Sequence, residues 1–330
     1  MMKRIFLLML AIGMTLSSSA QQDSQFTQYV FNNIHINPGY TGAKKEIYIQ
    51  SFFRSQWVGI QGAPTTFSVA VDGAVNDGNV GLGLIVSNDK IGAQTYLSGY
   101  ANYAYKIQVG YDETSRLSFG IAAGIMQLGL DGNKLGAIEQ NDEVIPVNAE
   151  TRTFPDARFG VYYSNKQFFA GLSATNMLAS YAAKNSKGNS NLLVPVPQPH
   201  YYFTAGALIP LGDGLDLKPV ILLKDDVKGP TSLDLNAFLL LNEKVWIGAF
   251  YRTSVPLYKK PDLDNYLTKK SATGLMFELF ATENLRIGYS YDYALNKFRN
   301  YNYGSHEVSV GLYLGRKNLL RQRQLRCYDF

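Results

Sequence analysis

Cysteine, histidine and tryptophan are scarce in this chain: 330 residues carry one Cys, three His and two Trp. The single thiol, Cys327, cannot form an internal disulfide and reads as an idle tail thiol. The three histidines, His35, His200 and His306, stand far apart. They offer no His-x-x-x-His pair with acidic partners, so no metal site and no cofactor is expected. No G-x-S-x-G elbow, Walker loop or Cys–His pair is present either. Charge is also thin, at 17% of residues against the usual quarter. The formal charge of +5 falls to +3 once Lys3 and Arg4 are set aside. With no Arg-rich stripe, that balance excludes nucleic acid as a partner. Past the N-terminus, no run reaches the ~18 apolar residues that a transmembrane helix needs.

What is abundant points elsewhere. The chain has 23 Tyr, 18 Phe and 30 Gly. It opens with MMKRIFLLMLAIGMTLSSSAQQ, in which Lys3 and Arg4 precede a short apolar core, Ile5 to Leu16. Ser18-Ser19-Ala20 follows as a small-residue cleavage signal. Residues 1–20 therefore read as a secretory signal peptide, with Gln21 starting the mature chain.

From residue 45 onward, segments of about ten residues alternate apolar with polar or small side chains, the period-2 signature of half-buried strands. Leu117, Phe119, Ile121, Ala123 and Ile125 make one face, and Ser118, Gly120, Ala122 and Gly124 the other. Leu285, Ile287, Tyr289, Tyr291 and Tyr293 oppose Arg286, Gly288, Ser290 and Asp292 in the same way. Fourteen strands are predicted, at 45–59, 64–75, 80–87, 93–108, 115–130, 153–163, 167–177, 200–211, 215–224, 231–241, 245–253, 271–280, 284–295 and 304–315. Their connections sort by length. Six are short and rich in Asn, Asp and Gly: 76–79, 110–114, 164–166, 212–214, 242–244 and 281–283. The connections 132–152, 178–199 and 254–270 are much longer. Bacterial outer-membrane barrels have short periplasmic turns, long outer loops and an even strand number. The expected fold is thus all-β, a transmembrane antiparallel β-barrel of about 14 strands with both termini periplasmic. Residues 45–315 form the barrel, 21–44 a periplasmic or plug segment, and 316–330 a basic periplasmic tail. The expected location is the outer membrane.

Several features bear on chemistry. Arg54, Lys106, Arg252 and Arg286 fall on polar strand faces and are candidates to pair inside the barrel with Asp72, Asp234, Glu278 and Asp292. Tyr96, Tyr105, Tyr111, Phe154, Tyr163, Phe168, Tyr201, Tyr202, Phe250 and Tyr251 cluster near predicted strand ends. They suit interfacial girdles or plain strand propensity. The acidic stretches 139–143 and 262–265 lack EF-hand spacing and read as solvated loops. No Ser-His-polar set stands out at a rim, so an enzyme is not expected.

The segment before the first strand breaks the alternation. It reads Gln25-Phe26-Thr27-Gln28-Tyr29-Val30-Phe31-Asn32-Asn33, then Ile36-Asn37-Pro38-Gly39-Tyr40-Thr41-Gly42. The first strand continues as Phe53-Arg54-Ser55-Gln56-Trp57-Val58-Gly59-Ile60-Gln61-Gly62-Ala63-Pro64-Thr65-Thr66. Together these resemble the PorP/SprF family of the Bacteroidetes type IX secretion system, whose pattern runs roughly FTQYMFN…NPAYAG and then R-x-QWVG-x-x-GAP-x-T. Gly39 and Thr41 stand where that family usually has Ala. The resemblance extends over nearly the whole chain.

The resemblance implies a non-enzymatic outer-membrane protein serving protein secretion and, in some members, gliding motility. Such a protein receives or anchors cargo carrying a type IX C-terminal secretion domain at the cell surface. Its partners would be that cargo, other secretion components and outer-membrane lipid. The alternative is a passive porin or small-solute channel. The motif residues Gln28, Tyr29, Asn32, Asn37, Pro38, Tyr40, Gly42, Arg54, Gln56, Trp57, Gly59, Gly62 and Pro64 are the candidate plug site. Asn37-Pro38 favours a turn, and Gly39 and Gly42 permit unusual backbone angles. The expectation is that residues 25–43 pack inside the barrel near Arg54, Gln56 and Trp57.

Overall fold

The period-2 pattern is realised as one antiparallel sheet that closes on itself. The structure is a computed structural model and describes residues 26–110, 114–135, 148–185, 194, 196–260 and 271–315. Its first strands are β1 (Ile47–Ser55), β2 (Thr65–Val75), β3 (Val80–Ile91), β4 (Gln94–Gln108), β5 (Arg116–Asp131), β6 (Ala149–Ser164) and β7 (Phe168–Thr175). They continue as β8 (His200–Ala207), β9 (Ile209–Gly212), β10 (Leu215–Asp225), β11 (Thr231–Leu241) and β12 (Val245–Val255). The last three are β13 (Ala272–Phe280), β14 (Leu285–Ala294) and β15 (Ser305–Leu314). Each pairs with its neighbour, and β15 returns to β1, Leu314 opposite Ile47 and His306 opposite Ser55. Closure leaves no open edge, as a sheet in lipid requires. Both β8 and β9 pair with β10, so the fifteen strands form fourteen staves.

That break departs from the single strand expected over 200–211. The Leu208 side chain turns inward, its N–H donates to the Gln167 carbonyl at 2.6 Å, and the register against β10 shifts at Leu215/Asp216. Pro210 next to it has no N–H to give to a ladder. Two strands also outrun expectation. β3 reaches Ile91 and turns straight into β4, and β6 starts at Ala149 rather than 153.

Alternation assigns the two faces. On β5, Phe119, Ile121 and Ile125 are 46%, 47% and 58% exposed, whereas Ser118, Ala122 and Met126 are buried. Leu82, Leu84, Val86, Leu172 and Leu275 continue the exposed apolar band on other strands. Such a belt is costly in water and matches a hydrocarbon layer. The aromatic residues near strand ends divide. Tyr105, Phe168 and Tyr201 face outward, but Phe154, Tyr202 and Phe250 point into the lumen and are buried. Those three belong to the interior, not to a girdle. Tyr111 lies outside the described residues.

At the long-loop end, a short helix, Ala179–Asn185, folds against β6. Asp156 Oδ1 accepts from the Leu178 and Ala179 N–H groups at 3.0 and 3.1 Å. Ala179 joins Met126, Leu128, Leu130, Phe154 and Val194 in a small apolar cluster that roofs this side. At the same end, Lys260 binds Asp225 at 3.0 Å and ties the connection after β12 to the one after β10. The stretches 139–143 and 262–265, the leader, Cys327 and the tail 316–330 lie outside the described residues.

Candidate functional site

The lumen is occupied by the chain itself. Residues 27–42 are buried without interruption, ahead of β1. They form three short 3-10 turns, Gln28–Phe31, Asn33–His35 and Pro38–Tyr40. The local sequence explains these turns. Asn32 Oδ1 accepts from the Ile34 N–H and Asn37 Oδ1 from the Gly39 N–H, while Pro38 opens its turn with φ already set. Thr41 Oγ1 closes that turn by donating to the Pro38 carbonyl at 2.8 Å. A backbone without a sheet ladder thus satisfies many of its polar groups with its own side chains.

Polar groups hold the segment at the long-loop half. Glu307 accepts from the backbone N–H groups of Thr27 and Gln28, both at 2.9 Å. Arg54 bridges Asp292 at 2.6 Å and Glu307 at 3.0 Å, and donates to Thr27 Oγ1 at 2.9 Å. Arg252 pairs with Asp234 at 2.7 Å and lies 3.8 Å from Asp292, so the ions form one network. Gln28 donates to the Glu307 carbonyl at 3.0 Å and accepts from Ser309 at 2.5 Å. The Tyr29 hydroxyl accepts from Asn236 at 2.8 Å. Midway, Lys44 donates to the Phe31 carbonyl at 2.9 Å and sits 3.7 Å over the Tyr48 ring. The Gly42 N–H donates to Asp72 at 2.7 Å, and Lys106 donates to the Gly42 carbonyl. Of the lumen charges expected to pair, Arg54 meets Asp292, Arg252 meets Asp234 and Arg286 meets Glu278, whereas Asp72 and Lys106 each engage the backbone of Gly42.

Apolar contacts fill the rest. Tyr29, Val30, Phe31, Ile34, Ile36 and Tyr40 pack with Phe238, Trp246 and Phe250 of the wall. Phe31 meets Phe238 edge-on at 5.3 Å, and Tyr40 meets Tyr162 at 5.3 Å. Each such side chain contributes about 1.5–3 kcal/mol on burial. Backbone also touches backbone. A Cβ on Gly120 would stand 2.2 Å from the Gly39 nitrogen and the Pro38 carbonyl carbon, and one on Gly81 2.0 Å from the Thr41 oxygen. Gly160 and Gly171 make the notch for Asn37, whose Nδ2 donates to the Val161 and Leu172 carbonyls at 3.1 and 3.3 Å. A strand glycine at a close backbone approach is the usual reason for its presence.

Gln28, Tyr29, Asn32, Asn37, Pro38, Tyr40, Gly42 and Arg54 are thus gathered in one lumen. The second half of the motif is not. Gln56, Trp57, Gly59, Gly62 and Pro64 build the loop between β1 and β2, beyond the strand end. The Gln56 N–H donates to the Pro64 carbonyl, that of Trp57 to Ser305 Oγ, and that of Val58 to the Gly304 carbonyl. Gly59 and Gly62 have φ of +98° and +74°, where only glycine sits without strain. The expectation that the plug packs near Gln56 and Trp57 is corrected to Arg54, because β1 ends at Ser55 and the loop turns toward its neighbours. Sequence reading missed Glu307 as an anchor and the four wall glycines. The visible signal for Glu307 was a carboxylate on the polar face of the last strand.

His35 shows how dry the plug is. Its ring lies 5.6 Å from Phe26 and 5.0 Å from Phe52. Burial, and then the charge of Arg158, push its pKa from 6.5 down to about 3. The unfolded chain protonates near 6.5 and the folded one does not. The unfolded state therefore binds more protons between about pH 6.5 and 3, and stability falls as pH drops through that window. The slope reaches at most ~1.4 kcal/mol per pH unit. His35→Leu is expected to show a smaller loss of heat stability between pH 7.5 and pH 5 than the native chain. Gel migration of the heated barrel measures it.

A closed barrel with an apolar outer belt and a buried polar lumen defines an outer-membrane β-barrel. A family profile described as type IX secretion system membrane protein PorP/SprF matches residues 18–312, and the chain belongs to that family. Among solved structures it resembles the Acinetobacter baumannii outer membrane protein Omp33, with TM-score 0.45 and 8% identity over 82% of this chain and 98% of that one. It also resembles a mutant of the Rh. blastica porin, with TM-score 0.34 and 9% identity over 81% of this chain and 99% of that one. No curated protein matches.

Proposed function

We propose that the protein is a non-enzymatic outer-membrane component of type IX secretion that receives or anchors secreted cargo, such as a gliding adhesin, at the cell surface. The observation that carries this reading is the filled lumen. A passive porin needs a water-filled channel, whereas here residues 27–42 lie buried across the interior. With the short turns in the periplasm, as in other bacterial barrels, the long loops face outward. A small pocket opens above the plug at the long-loop half. Phe26, Tyr29, Tyr202 and Leu222 give it an apolar floor, and Lys224, Asp234 and Arg252 a charged side.

The histidines support a role without catalysis. His35 is packed among rings, His200 Nδ1 meets the Gln198 carbonyl at 2.8 Å, and His306 Nδ1 meets the Tyr289 hydroxyl at 2.7 Å. Co-purification tests the reading. The tagged protein is expected to bring down a surface protein ending in a type IX C-terminal domain. Recovery of periplasmic machinery alone would assign it to the core apparatus. Solute conduction by the intact barrel, with no cargo recovered, would favour the porin.

A further inference from the structure

The plug consists of two halves that meet the wall differently, joined at Asn37 in extended conformation. Below Asn37, Pro38 to Gly42 is wedged backbone against backbone. A Cβ on Gly120 or Gly81 would collide with the Gly39 nitrogen or the Thr41 oxygen. Charged wall groups grip this base as well, Asp72 at the Gly42 N–H and Lys106 at its carbonyl. Beyond Gly42 the base runs straight on into β1. The upper half, Phe26 to Ile36, differs on each count. It meets wall glycines through side-chain ends, Gln28 Oε1 at Gly288 and Ile34 Cδ1 at Gly83. No Asp, Glu, Lys or Arg lies within it. Every stave follows it in the chain, so non-covalent contacts alone hold its Phe26 end at the long-loop half. Polar matching is also poorer there. Asn32 Nδ2, Asn33 Oδ1 and His35 Nε2 are buried without hydrogen-bond partners among the described residues. Groups left so favour a state in which water reaches them. In the base, by contrast, Asn37 and Thr41 have their side-chain hydrogen bonds made.

We propose that Phe26–Ile36 is a lid that swings toward the long-loop mouth about Asn37, while Pro38–Gly42 stays seated. Hinges are element-terminal residues that absorb the backbone change. Asn37 lies between two 3-10 turns, and its side chain is fixed to the Val161 and Leu172 carbonyls. Release strands no charge. Arg54, Asp292 and Glu307 all belong to the wall and stay paired with one another when Thr27 and Gln28 leave. The lid gives up hydrogen bonds, not an ion pair. Lys44, which donates to the Phe31 carbonyl, keeps the Tyr48 ring beside it. Breaking up a buried ion network would oppose the motion far more strongly. Tyr29, Val30, Phe31 and Ile34 are apolar and buried, so their burial keeps the lid shut for most of the time. Phe26, Tyr29 and Ile36 line the pocket above the plug, so the swing enlarges that pocket and leaves the base in place.

Amide hydrogen exchange on the purified full-length barrel in lipid nanodiscs reads the two halves separately. Amides of residues 27–36 are expected to exchange at least about tenfold faster than those of 39–42, because local opening exposes one half without the other. Thr27→Val removes the hydroxyl that joins Arg54 and Asp292. That variant is expected to speed exchange over 29–36 several-fold and to leave 39–42 unchanged, with folded gel migration retained. Equal protection of the two halves in the native barrel, or faster exchange at 39–42, would overturn the lid. So would a Thr27→Val effect that is absent or equal in both halves, since the plug would then move as one body or be held elsewhere. No partner enters the assay, so the result bears on the lid and leaves the cargo reading to co-purification.

Discussion

Arg54→Met is expected to loosen the plug and lower the stability of the barrel by about 3–5 kcal/mol, the usual consequence of removing one partner from a buried ion network. Arg54 is 1% exposed and is the cation that holds Asp292 and Glu307 together. Without it, two carboxylates lie side by side in a space closed to water. Glu307 also carries the Thr27 and Gln28 N–H groups. If it rotates toward solvent or takes up a proton, the segment loses its anchor at the long-loop half. The cost therefore reaches beyond the pair itself. Asp292→Asn with Glu307→Gln in the Arg54→Met background removes the stranded charges and is expected to recover much of the loss. Heat-induced gel shift gives the stability, and protease access to residues 26–44 reports the plug. A variant as stable as the native barrel, with the segment still protected, would show that Arg54 is not the latch.

Deleting residues 26–43 should turn an electrically silent barrel into a conducting one. The native lumen is filled at every level the segment crosses, from Glu307 at the long-loop half to Asp72 near the short turns. Removing the segment uncovers a polar wall of Ser68, Ser118, Ser173 and Asn236 that water can wet, together with Phe238, Trp246 and Phe250. Fourteen staves enclose space enough for a channel once nothing occupies it. Planar-bilayer recording compares the two proteins, and folded gel migration confirms that the deleted form is still a barrel. Steady porin-like conductance from the native protein would contradict the plugged lumen. It would also remove the main support for a cargo-handling role.

Much of this architecture was legible in the sequence. The barrel follows from period-2 alternation. Phe119, Ile121 and Ile125 can leave water only on one side, and Ser118, Ala122 and Met126 only on the other. A one-residue slip would reverse every side chain, so register is fixed wherever one face meets lipid. The short turns announced themselves through Asn, Asp and Gly, and Asn242 and Asn76 do adopt the positive φ that such turns need. The ion pairs were legible for the same reason as the strands. Arg54, Asp234, Arg252, Glu278, Arg286 and Asp292 all stand on polar faces, and a closed lumen leaves a charge little to meet but another charge.

The alternation, the strand count, the sorting of short and long connections and the family motif are all written along the chain. Each is a local property, carried by neighbours along the chain. Where the motif goes depends on closure of the barrel. It splits at Ser55, sending Gln28 to Gly42 into the lumen with Arg54 and leaving Gln56 to Pro64 on the long-loop rim. Tertiary structure also chose Glu307 as the anchor, 280 residues from Thr27. It brought Gly81, Gly120, Gly160 and Gly171 from four strands to meet one short segment. Contacts of that separation depend on closure of the sheet. No period, spacing or composition encodes which wall positions a plug will touch, because the plug's path is set only once the barrel has fixed the space around it.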